Sequence, residues 1–260
     1  MTRLSVLFIA IFLLALPAHA RLDILPRIVV MEPRDRSSEI TILNITDEQA
    51  FYRITILHYR QNPDGTYETL DAPLSPLFDP AEAVRMSPRQ FQLGPQGRQK
   101  IRLSLRKPEG LPPGEYRFHV LATRYDAVSP LRVNPDEEAP LARVGMNVGF
   151  AIPVVIRHGD VHGTAGITNA RFIPSGQEGQ ERNVMSVTIA RDGTKSAIGE
   201  LAIYRGEEQI GFITNFNVFN EINQRTIDVP LRIDPRGAGE IRLEYTSHSG
   251  ELIDVRTLQL

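Results

Sequence analysis

Along much of this chain apolar residues recur at every second position. Ile40 and Ile42 alternate with Glu39 and Thr41, and Ile101, Leu103 and Leu105 alternate with Arg102, Ser104 and Arg106. A period of two puts neighbouring side chains on opposite faces of an extended chain, the pattern of a half-buried strand. Residues 24–31, 51–59 and 116–123 are further strand-like runs. Asn62-Pro63-Asp64-Gly65 and Gly94-Pro95-Gln96-Gly97 are turn signals between them. The Pro-rich stretch 71–83 is expected to be an irregular connection. In the second half the pattern predicts strands at 165–173, 184–191, 197–205, 209–218, 225–233, 239–246 and 250–258. No window of ten or more residues carries a helical period. Short strands at this spacing in both halves predict an all-β protein of two immunoglobulin-like β-sandwich domains in tandem. The expected boundaries are 21–157 and 158–260, with Arg157-His158-Gly159-Asp160-Val161 as the link.

One run departs from the ordinary alternation. From 143 to 156 one parity reads Val144, Met146, Val148, Phe150, Ile152, Val154 and Ile156, while the other holds Gly145, Asn147, Gly149, Ala151 and Pro153. No charge interrupts the thirteen residues from Val144 to Ile156. An edge strand that stays in solvent normally blunts itself with charge. The run is therefore either a central core strand or a strand offered to another polypeptide. In strand addition a partner pairs along the edge and buries the alternate side chains. Each bulky side chain would contribute roughly 1.5–3 kcal/mol gross. Four or five of them give on the order of 6–15 kcal/mol before ordering and association costs. Residues 126–142, with three prolines, four acidic residues and no period, are expected to be a mobile loop that lets the strand extend.

Composition narrows the setting. Arg3, the apolar stretch 4–16 and the Ala18-His19-Ala20 triplet form an export signal expected to be cleaved after Ala20. The apolar stretch is shorter than the ~20 residues of a membrane span, and the mature chain is expected to be exported without membrane insertion. There are no cysteines, which removes disulfides and thiolate chemistry and fits a periplasm. The net charge of −2, with both signs interspersed, points away from nucleic acid.

Catalytic signatures are weak. Gly159-Asp160-Val161-His162-Gly163 resembles a fragment of a metallophosphoesterase signature, but the further carboxylates and histidines that hold two metals do not follow. His158 and His162 stand four apart, a spacing that joins them only on a helix. No nucleophile elbow, phosphate loop or dinucleotide fingerprint is present. Asn44-Ile45-Thr46 is formally a glycosylation sequon and reads more simply as a strand end. No enzymatic activity, no cofactor and no metal site is expected.

Several segments, in order, carry a family resemblance: RIVVMEPRDRSSEITILN, FYRITI, MSPRQFQLGPQGRQKIRLSLRKPEGLPPGEYRFHVLA and IPVVIRHG. With these the chain resembles the periplasmic pilus chaperones, PapD-like, of chaperone–usher secretion, in their archaic-type branch. The resemblance covers most of residues 24–158 and, more weakly, the second half. It implies a chaperone that completes pilin subunits lacking a final strand and delivers them to an outer-membrane usher. It places Val144, Met146, Val148 and Phe150 on donor positions, with Ile152 at the groove's end or in the chaperone's own core. Self-association of the free donor strand is a further expectation. The chain departs from the family where a cleft arginine and a donor-strand lysine hold the pilin's terminal carboxylate, for Ile28 and Pro153 stand there. Arg27, Arg89 and Arg157 are the candidate replacements, because an arginine fork suits a carboxylate. A structural or adhesive immunoglobulin-like protein, a metal- or carbohydrate-binding hydrolase at 158–162, and a chaperone fold serving a non-pilus client are the competing readings.

Overall fold

The computed structural model describes residues 22–125, 149–176, 182–237 and 239–259. Four sheets make two β-sandwiches. In the first, β1 (Asp23–Leu25), β3 (Ser37–Leu43), β8 (Arg98–Leu105) and β6 (Val84–Ser87) form one sheet in the order β1-β3-β8-β6. Facing it are β2 (Val29–Met31), β10 (Gly149–His158), β9 (Gly114–Tyr125), β4 (Ala50–Gln61) and β5 (Tyr67–Leu70), in that order, with β7 (Gln90–Leu93) also on β4. In the second, β11 (Gly163–Ile173), β12 (Val184–Gly193) and β15 (Gln224–Pro230) oppose β14 (Glu208–Val218), β13 (Ala197–Arg205), β16 (Glu240–Ser247) and β17 (Leu252–Gln259).

The alternation in the sequence becomes burial. Ile40, Ile42, Ile101 and Leu103 from one sheet meet Phe118, Val120, Ile54, Val154 and Ile156 from the other in a single core. The second core joins Met185, Val187 and Ile189 to Leu201, Ile203, Ile241 and Leu243 in the same way. All seven strands expected in the second half are present, with shifts of a few residues at their ends.

The first half differs from expectation at 24–31, in the 71–83 connection and in the short strands β5 and β6, which were not expected. The run 24–31 is two strands, because Pro26 lacks the amide needed to continue a ladder. β1 pairs β3 in one sheet, and β2 crosses to pair β10 in parallel in the other. The 71–83 connection ends in a one-turn helix, α1 (Pro80–Ala83). Asp79 caps it by accepting the Ala81 amide at 2.7 Å, and Pro80 supplies a preset φ at the first turn. β6 follows it directly and was not visible as a separate strand.

Asn44 shows why the sequon reads as a strand end. It is buried, and its Nδ2 donates to the Glu48 and Gly94 carbonyls at 2.7 and 2.8 Å. Its Oδ1 accepts from the Thr46 hydroxyl. The amide thus ties two loops together and has no face left for a glycan. After β10, Gly159 turns the chain with φ +64°, and a Cβ there would come within 2.8 Å of Pro113, so the turn needs glycine.

Candidate functional site

β10 is where the unusual run enters the fold. It pairs antiparallel with β9 from Gly149↔Thr123 to His158↔Gly114. On its other side β2 covers only Val154, Val155 and Ile156. Among the described residues no strand pairs with positions 149–153 on that side. The even parity faces inward: Ile152, Val154 and Ile156 are buried in the first core, and Phe150 packs against it. Val144, Met146 and Val148 lie outside the described residues, as does the expected loop 126–142.

Near the end of β10 the odd parity meets the second sandwich. Val155 is fully buried with Ile198 and Phe219 of that sandwich, and Ile28 and Val30 pack against the group. Ile28 therefore supports the junction between sandwiches. Further out, Ala151 and Pro153 line a pocket with Tyr59, Tyr67, Thr69 and His119.

A polar network surrounds this apolar contact. Arg117, on β9, lies over the Phe219 ring at 4.0 Å and pairs with Glu221. Its Nη2 also donates to the Tyr59 carbonyl at 3.0 Å. Gln61 donates to Asn217 Oδ1 at 2.7 Å and accepts the Phe219 amide at 2.9 Å. Glu115 is buried and accepts from both the amide and the hydroxyl of Ser196. These bonds join residues roughly 60 to 160 positions apart. A buried charge needs such partners.

His119 sits beneath this network. Burial, then the charge of Arg117, then His58 hold its pKa down at about 3, so its ring is neutral. Tyr59 and Tyr67 meet that ring edge-on at 4.9 and 5.5 Å. The Tyr67 hydroxyl reaches Asn217 Oδ1 at 3.2 Å, and burial of that end pushes its phenol up.

The three candidate arginines stand on separate elements. Arg27, between β1 and β2, is exposed and pairs with Asp23 at 3.0 Å. Arg89, just before β7, is exposed, and its carbonyl accepts the Ile54 amide. Arg157, at the end of β10, has a side chain only 2% exposed. It already holds two carboxylates, Glu32 at 2.6 Å and Glu115 at 3.3 Å. Its charge is answered within the protein. Arg117, His119, Glu115 and Glu221 were not singled out from the sequence. The parity of 116–123 carried part of the signal, because Arg117 and His119 fall opposite the core residues Tyr116, Phe118 and Val120.

No family model matches the chain, and no curated protein matches it. Solved structures similar to it include the E. coli chaperone DraB, at 15% identity and a TM-score of 0.44, covering 92% of this chain and 98% of that one. Another is the CsuC–CsuE chaperone–tip adhesion subunit complex of the archaic Csu pili of Acinetobacter baumannii, at 13% identity, a TM-score of 0.46 and coverage of 92% and 97%. A third is the Salmonella enterica SafA pilin in complex with the SafB chaperone, at 12% identity, a TM-score of 0.43 and coverage of 92% and 96%.

Proposed function

We propose that this protein is a periplasmic chaperone of pilus assembly. It binds pilin subunits by lending them a strand and passes them to an outer-membrane usher, without covalent chemistry and without a cofactor. The observation that carries this reading is the charge-free strand. Its described part is anchored in the first core through Ile152, Val154 and Ile156, no other strand among the described residues pairs with its free side at 149–153, and the same apolar parity continues upstream through Val148, Met146 and Val144. An anchored strand that projects an apolar row can fill a groove in a subunit that lacks one. In this reading Val144, Met146 and Val148 enter the client, Phe150, half-buried against the first core, stands at the boundary, and Ile152 stays in the chaperone. A client's terminal carboxylate falls to Arg27 or Arg89, which are accessible, and not to Arg157.

The test is co-purification from the periplasm of the native cell, comparing wild type with Met146→Arg/Val148→Arg. Circular dichroism establishes that both are folded. The expected result is a small exported β-protein, identified by mass spectrometry, that is lost only from the folded variant. A client retained by the folded variant contradicts strand donation.

A further inference from the structure

The sheet of the first sandwich that does not contain β10 turns a positively charged face to solvent. In β8 the even parity points away from the core, so Arg98, Lys100 and Arg102 stand exposed in one row while Ile101, Leu103 and Leu105 are buried. Arg85 of β6 is exposed on the same face, because it stands opposite Ser104 of β8 while its neighbour Met86 is buried opposite Leu103. Residues two apart on a strand are about 6.8 Å apart, so the row on β8 spans about 13 Å.

Little within the protein answers these charges. Lys100 reaches Glu39 of the adjacent strand β3 at 3.3 Å. Arg102 reaches only the Ser37 hydroxyl, at 3.5 Å. Among the described residues no carboxylate lies within ion-pair distance of Arg85, Arg98 or Arg102. Arg27, Arg60 and Arg124 of the same sandwich each hold one. The whole chain carries a net charge of −2, so the excess is local to this face. Like charges that neighbour one another on a sheet repel, and an external anion would relieve that repulsion.

The spacing selects the kind of anion. A single carboxylate or phosphate is held by groups that converge on it. Here the cations stand on separate stems across two strands of a broad sheet face, an arrangement that meets many anions at once. An anionic phospholipid surface presents such an array and attracts clustered lysines and arginines without their insertion. The export signal read in the sequence would bring the chain to such a surface. The first core lies between this face and β10, so contact here leaves the strand and the junction with the second sandwich clear. We propose that this face docks the protein peripherally on an anionic phospholipid bilayer, by charge alone. The proposal stands apart from strand donation.

The experiment mixes the full mature protein with phosphatidylcholine vesicles, with and without phosphatidylglycerol, at low and high salt, and reads binding by co-flotation. The expected result is capture by the anionic vesicles only, reversed by salt because exposed charges are screened. Arg85→Gln/Arg98→Gln/Arg102→Gln should weaken capture by about a hundredfold, about fivefold for each cation. Arg53→Gln/Arg171→Gln/Arg232→Gln removes the same charge from exposed positions elsewhere and should weaken it by less than about fivefold. Circular dichroism checks that both variants are folded. Equal capture by uncharged vesicles, no capture by anionic ones, or equal weakening by the two triple variants would overturn the proposal. Capture of polyglutamate without capture of the anionic vesicles would also overturn it, and would assign the face to an acidic protein. Failure of strand donation would appear separately, in the co-purification with Met146→Arg/Val148→Arg.

Discussion

β10 is the last strand of the first sandwich and β17 the last of the second, yet the two meet their surroundings with different chemistry. β17 lies at a sheet edge beside β16. It exposes Leu252, Ile253 and Val255, but Asp254 and Arg256 are spaced among them. Asp254 also accepts the Ile167 amide of β11 at 2.7 Å, so part of that edge is answered by the opposing sheet. β10 carries no charge before Arg157, and its stretch 149–153 has no such side-chain cap among the described residues. Edges that remain in water are blunted by charge. Exposed apolar area alone does not distinguish the two strands. What separates them is charge spacing, together with a side of 149–153 that no strand among the described residues pairs.

The largest effect that would sharpen this contrast lies where β10 joins the second sandwich. Glu115→Ala removes the carboxylate shared by Ser196 and Arg157. Leaving Arg157 with Glu32 alone and the buried Ser196 amide and hydroxyl without their acceptor is expected to cost about 2–6 kcal/mol in sum, read as a lower midpoint in urea unfolding. Next comes the anchored parity. Ile156→Ala, at a fully buried position, should cost about 2–5 kcal/mol by the same measurement. An equal loss from Val255→Ala in β17 would break the comparison.

The third effect is a pH dependence. His119 is held at about 3 in the folded protein, against 6.5 for an unperturbed histidine. Between those values the unfolded chain takes up a proton that the folded chain refuses. The stability associated with neutral His119 is therefore fully present above about pH 6.5 and is lost as the pH falls toward 3. His119→Phe should flatten a slope that approaches about 1.4 kcal/mol per pH unit in this window, measured by urea titrations at successive pH. An unchanged slope would remove His119 as its source. The smallest effect belongs to β17, where Val255→Lys should shift stability by no more than about 0.5 kcal/mol and leave client capture unaffected.

Much of the fold was legible because its strands are amphipathic with a strict period. The second-half strands follow from residues such as Val187/Ile189 and Leu201/Ile203, whose burial depends only on parity. The division of 24–31 was less legible. Pro26 signals a break, but nothing local says that the chain changes sheets. The site was legible in part. The sequence singled out the run containing Phe150 and Ile152, and the fold shows where that run joins the first core. The junction was hidden for a physical reason: Glu115, Ser196, Arg157, Gln61 and Asn217 are ordinary polar residues until tertiary structure pairs them. Arg157 illustrates the converse, since a free-looking arginine in sequence is buried in the fold and paired with Glu32 and Glu115.

The most direct measurement is backbone hydrogen exchange across residues 144–148, upstream of the ladder that β10 makes with β9, in the free protein and in the complex recovered with its client. Donation of the strand predicts fast exchange there in the free protein and slowed exchange at alternate amides in the complex, with Val154 to Ile156 slow in both. Exchange at 144–148 that is already slow in the free protein, or unchanged by the client, would contradict the account and make the run an internal strand of the first sandwich.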